Sequence, residues 1–169
     1  MRRETPVMDV QQTVTAADRS LLEQLYPRLR RFAAAAAPWD VEPDDLLQEA
    51  LTRTIARGPL SRLDHPAAYL RKAMIHLASN HHHHQTVRRS ALARVAASEA
   101  QPANDHYPSD LAVLSELPPR SRSILYLAEV EGHSYDEIAS ALDCSASAAR
   151  MAAMRGRRKL RQSLRGGAT

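Results

Sequence analysis

The chain has a single cysteine, Cys144, so it can form no internal disulfide, and nothing in it calls for an oxidising compartment. Aromatic residues are scarce at 4%, and Ala and Leu supply most of the apolar mass. That composition argues against a sandwich or barrel, where β-branched and aromatic side chains dominate, and suits small helical bundles. The longest apolar run, Phe32 to Ala37, falls far short of a membrane span. The first residues, Met1 to Thr15, are polar and carry Arg2, Arg3, Glu4 and Asp9, unlike a signal peptide. A soluble, cytoplasmic protein is expected. There is also no glycine-rich phosphate loop, no nucleophile elbow and no His-Glu-x-x-His, so the expectation is a protein that is not an enzyme and needs no cofactor.

Acidic residues are missing from two stretches. None occurs from His65 to Ser98, and none from Cys144 to the C-terminus. The second stretch holds seven cations, Arg150, Arg155, Arg157, Arg158, Lys159, Arg161 and Arg165, whose mutual repulsion phosphate contacts would relieve. With a net charge of +4, this points to an anionic partner. The opposite sorting holds from Phe32 to Thr52, which has no Lys or Arg but carries Asp40, Glu42, Asp44, Asp45 and Glu49. Asp45, Gln48, Glu49 and Thr52 share one helical face opposite Leu47 and Leu51. Phosphate repulsion bars that face from DNA, leaving a solvated surface or a docking face for a basic protein.

What is present reads as helices. Thr15-Ala-Ala-Asp18 forms a capping box opening a first helix, with Leu21, Leu22, Leu25, Leu29, Phe32 and Ala33 at helical spacing and a kink expected at Pro27. Pro43 opens a second helix lined by Leu47, Ala50, Leu51 and Ile55 and stopped by Gly58-Pro59. Asp64 is expected to cap a long third helix with Leu70, Ala73, Met74 and Leu77 on its buried stripe. From Ala96 to Ser109 the pattern fails, which reads as a linker. A short helix from Leu111 to Leu117 precedes one running from Pro118-Pro119 to about Glu131. Ser134 and Glu137 make a second capping box, and Ser145 caps a last helix reaching about Leu164.

The expected fold is therefore all-α, with two small helical domains joined by a flexible linker, the C-terminal one a helix-turn-helix. The boundaries are a tail over residues 1–17, a first domain over 18–95, the linker over 96–109, a second domain over 110–165 and a tail over 166–169. In a helix-turn-helix the second helix enters the major groove and offers its N-terminal residues to base edges. Ser145, Ser147 and Arg150 occupy that stretch, with Arg155 and Arg158 further along to meet phosphates. A plain helical hairpin packed for stability is the alternative.

Three segments resemble bacterial sigma factors of the extracytoplasmic-function group. Leu117-Pro-Pro-Arg-Ser-Arg-Ser-Ile-Leu125 followed by Glu131-Gly-His-Ser-Tyr-Asp-Glu-Ile-Ala139 is similar to their fourth region. Asp44-Asp-Leu-Leu-Gln-Glu-Ala-Leu51 resembles the second-region helix that docks on core RNA polymerase, and His65-Pro-Ala-Ala-Tyr-Leu-Arg-Lys-Ala-Met-Ile-His-Leu-Ala78 the helix that melts and reads the −10 element. The resemblance implies polymerase contact by Asp45, Leu46, Gln48 and Glu49. It implies −10 contact by Arg62, Tyr69, Lys72, His76, Asn80 and Arg88, and −35 contact by Ser145, Ser147, Arg150, Met151, Arg155 and Arg158. A base stacked on Tyr69 would gain roughly 1–3 kcal/mol. Core RNA polymerase and promoter DNA are the implied partners, and an anti-sigma factor is an open third.

The chain departs from the pattern in two places. His81-His-His-His84 stands where the family carries Arg and Lys, so phosphate attraction there should be weaker and pH-sensitive. The last helix holds Ala148, Ala149, Met151, Ala152, Ala153 and Met154. The histidine run makes a poor metal site, because consecutive helical residues point in different directions and only His81 and His84 share a face. Cys144 suits a small residue in the turn better than a nucleophile. Two other readings stay open: a DNA-binding regulator independent of polymerase, and a sigma-like adaptor that binds polymerase without reading DNA.

Overall fold

A computed structural model describes residues 15–93, 114 and 117–166. The described residues form six α-helices: α1 (Ala16–Ala36), α2 (Pro43–Ile55), α3 (Pro66–Ala93), α4 (Pro119–Glu129), α5 (Tyr135–Leu142) and α6 (Ala146–Gly166), with a short 3₁₀ turn at Leu60–Arg62 before α3. The 96–109 linker, and most of the short helix expected over Leu111 to Leu117, lie outside the described residues.

Local chemistry explains the boundaries. At the start of α1 the Asp18 N–H donates to Thr15 Oγ1 at 3.0 Å while the Thr15 N–H donates to the Asp18 carboxylate, a complete capping box. The helix continues through Pro27 to Ala36. Pro43 at the first position of α2 loses no hydrogen bond, because that N–H would be unpaired anyway. Gly58, at φ 148°, makes the turn after α2 in a region closed to most side chains. The first turn of α3 hangs from the His65 carbonyl, which accepts from the Tyr69 N–H at 3.0 Å, so the helix enters one residue later than the expected Asp64 cap. Ser134 and Glu137 close the second capping box, and Ser145 Oγ accepts from the Ala148 N–H to cap α6.

One core runs through all the described elements. Leu29, Phe32, Leu47, Leu70 and Met74 from the first three helices are fully buried, as are Ile124, Leu127 and Ile138 from α4 and α5. They belong to one cluster, and α1 and α3 both pack on α4. The Phe32 and Tyr126 rings meet edge to face with centroids 5.9 Å apart. The first three helices and the last three thus close on one another around a shared core.

Polar groups hold that closure. Arg122 of α4 is 3% exposed, and its Nη2 donates to the Ala36 carbonyl at 3.0 Å and the Ala37 carbonyl at 2.6 Å. Those carbonyls stand at the C-terminal end of α1, so the guanidinium caps α1 from α4 and complements its dipole. Glu131, in the turn after α4, accepts from Arg71 of α3 at 2.5 Å, and its carboxylate lies 3.5 Å from Arg28 of α1 and 3.2 Å from His133. The Arg71 and Glu131 side chains are each 9% exposed, and the Arg71 guanidinium lies 5.7 Å from the Phe32 ring centroid.

Candidate nucleic-acid interface

The last helix of the helix-turn-helix presents two contrasting faces. Ala149, Ala152, Ala153 and Gly156 are buried toward α4 and α5. A Cβ on Gly156 would stand 2.7 Å from Leu125 Cδ1, so the glycine lets α4 and α6 approach closely. The outer face carries Ser147, Met151, Met154, Arg155 and Arg158, all exposed. Ala149, Ala152 and Ala153 are therefore its packing face, while Ala148 is exposed.

The remaining cations of α6 differ in their ties. Arg157 donates to Glu129 of α4 and to the Tyr135 hydroxyl of α5, and those bonds hold its guanidinium above its ordinary pKa. It is a brace. Arg150 sits over the Tyr135 ring, 5.5 Å from the centroid. Ser145 Oγ is committed to the helix cap and lies 3.0 Å from Ser147 Oγ.

The residues expected to take the −10 strand lie on α3 and the turn before it. Arg62, Lys72, His76, Asn80 and Arg88 are exposed, and Tyr69 is half-buried with its hydroxyl accepting from Arg57 at 3.2 Å. Tyr69, Lys72 and His76 line a groove of about 520 Å³ with Arg53, Arg57, Arg120, Leu142 and Asp143. On the other side of α5, Tyr69 and Lys72 line a second groove of about 640 Å³ with His133, Glu137 and Ile138. Lys72 Nζ reaches Asp143, the left-handed residue ending α5, at 3.1 Å. Helix α5 thus lies across the start of α3. Sequence reasoning missed Arg53 and Arg57, which the turn of α2 brings beside Tyr69.

On α2, Asp45, Gln48, Glu49 and Thr52 are all exposed on one face, with Glu49 paired to Arg53 one turn on. Leu46 is 4% exposed and belongs to the core, so its side chain is not offered on that surface. Asp44 differs from its neighbour Asp45: Arg30 grips it through two hydrogen bonds of 2.9 and 3.1 Å, which hold its carboxyl below the usual range.

Along the histidine run, His81 pairs with Asp40 at 2.7 Å, and His82 faces Trp39, Arg89 and Arg122. Burial, then Arg122, Arg89 and Lys159, push the His82 pKa below its ordinary value. Among the described residues, no three His, Cys, Asp or Glu side chains converge as metal ligands. No described helix is long and apolar enough to cross a membrane.

Comparison with known proteins agrees with this geometry at two levels. Residues 111–160 match the family described as sigma-70, region 4. The fold is similar to that of the sigma factor RpoE, solved in complex with the anti-sigma factor NepR from Bartonella quintana, with a TM-score of 0.60 at 20% identity over 89% of this chain and 98% of that one. No curated protein matches the chain.

Proposed function

We propose that this protein is an alternative sigma factor of the extracytoplasmic-function group, which binds core RNA polymerase and directs it to promoters. The observation that carries the reading is α6, a helix within the stretch that matches sigma-70 region 4, whose inner face is filled by alanines and whose outer face is exposed and free of acidic residues. In this reading residues 110–165 engage the −35 element, with Ser147, Arg150, Met151, Arg155 and Arg158 toward DNA and Ser145 holding the helix start. Residues 18–95 supply both other surfaces: Asp45, Gln48 and Glu49 meet the polymerase, while Arg62, Tyr69, Lys72, His76, Asn80 and Arg88 take the opened −10 strand. The acidic face of α2 and the outer face of α6, which has no acidic residue, are separate surfaces, so one molecule can grip nucleic acid with one and a protein with the other.

The chain itself breaks no covalent bond. Binding energy opens the strands, and phosphodiester chemistry belongs to the polymerase. Because α5 lies across the start of α3, the two units separate before the −10 strand can reach Tyr69. RpoE was solved bound to an anti-sigma factor, which supports a partner of the same kind here. The working compartment is the cytoplasm, where polymerase and promoter are found.

Run-off transcription from genomic fragments with purified core polymerase tests the reading. The protein should convert core enzyme, inactive at promoters alone, into one that starts at discrete sites. Promoter-sized shifts by the protein alone, with core enzyme never redirected, would instead make it an independent regulator, and polymerase binding without transcripts would make it an adaptor.

A further inference from the structure

Met151 and Met154 are 45% and 47% exposed, and they stand one helical turn apart on the outer face of α6. On that face they are the only large apolar side chains before Arg155, because the neighbouring positions Ser147 and Ala148 are small and Ala149, Ala152 and Ala153 turn inward. Two adjacent exposed thioethers leave apolar surface in water, and a partner that covers them gains by removing it. The closed arrangement leaves them uncovered: α6 packs on α4 and α5 through its opposite side.

The surroundings say which partner fits. The pair lies between the Ser145–Ser147 hydroxyls and the cations Arg155 and Arg158, and no acidic residue occurs anywhere beyond Asp143. An apolar protein surface would leave those cations facing nothing, whereas duplex DNA offers phosphates to the arginines and base edges to the residues between. Base edges in the major groove carry one apolar feature, the 5-methyl group of thymine. The N-terminal part of a recognition helix reaches those edges, and Met151 in the second turn of α6 and Met154 at the start of the third stand on it. We propose that Met151 and Met154 read thymine methyl groups in the −35 element and so set its preference for T over C and over uracil. The proposal rests on the reading of α6 as the −35 helix.

The test uses the holoenzyme formed with core polymerase. Preferred −35 sequences are first selected from promoter fragments randomised upstream, and each thymine of the winner is then replaced in turn by deoxyuridine, which lacks only the methyl. Competition binding should show a loss of about 4-fold at one or two positions, the value of burying one methyl group. In Met151→Ala and Met154→Ala proteins, which keep a good helix former at each site, that sensitivity should vanish at the position each residue serves. Met151→Leu should retain it, and Met151→Gln, of similar length but polar, should not. A wild-type holoenzyme indifferent to deoxyuridine at every −35 thymine overturns the proposal while leaving −35 recognition standing, as does sensitivity that survives both alanine changes. Should selection enrich no upstream sequence at all, the assignment of α6 to the −35 element fails, and the proposal with it.

Discussion

Asp18 shows how much one carboxylate can organise. Its side chain is fully buried at the start of α1, where it closes the capping box and accepts from the Ser61 N–H at 2.7 Å. Burial alone would raise its pKa, but the bonds from Ser61 and Thr15 together outweigh that and hold the carboxyl below its ordinary value. A depressed carboxylate stabilises the fold at pH values above its unfolded pKa, about 3.9, and that contribution is lost as pH falls through the lower folded value. Asp18→Asn should therefore lose stability at neutral pH and show a shallower fall in unfolding free energy below about pH 4. Urea titrations at a series of pH values measure this, and parallel curves for the two proteins would remove the charge from the explanation. Ser61 sits in the 3₁₀ turn that also carries Arg62, one of the residues proposed to take the −10 strand.

At the scale of elements, α2 divides its acidic residues by task. Asp44 is spent on Arg30 and ties α2 to α1, while Asp45 and Glu49 stand exposed with only the surface pair from Glu49 to Arg53. Reversing both with Lys should abolish co-purification with core polymerase yet leave helix content unchanged, since a surface pair of this kind contributes about 0.3–0.5 kcal/mol. Recovery of core enzyme at wild-type yield would reject the face. Features of this scale were legible in the sequence because they are local. Both capping boxes, the proline opening α2, the Ser145 cap and the alternation of buried and exposed residues depend on neighbours within a turn or two. The same locality explains the misplacement of Leu46: its motif marks the helix, but only packing reveals that its side chain points inward. The alanines of α6 were open to misreading for the same reason, since a recognition helix and a packing face share one segment.

At the scale of the whole molecule, nothing local foretells the closure of the two units. Arg122 reaches carbonyls 85 and 86 residues earlier, and Glu131 meets an arginine 60 residues away. In sequence these are ordinary surface charges. Folded, they form a clamp, and α5 covers the part of α3 proposed to take the −10 strand, so the proposed function requires the clamp to open. Glu131→Ala leaves Arg71, 7% exposed, without its carboxylate, a change that costs about 3–5 kcal/mol when a buried pair is broken. Separating the units returns Arg71 to water but gives up the apolar packing of α1 and α3 on α4, so the variant tests whether that packing yields before the helices do. Glu131→Ala should shift the molecule toward an open form rather than melt it. Spin labels at Thr52→Cys on α2 and Ser140→Cys on α5, with Cys144 replaced by Ala, report the separation directly. The wild-type pair should give one short distance and the Glu131 variant a broad, longer population, with Glu131→Gln between them because the amide still accepts one hydrogen bond. In transcription the open variant should need less polymerase for half-maximal output. If the short distance persists while the melting temperature falls, the seam between the units is not where the molecule yields, and separation must be driven by polymerase or DNA instead.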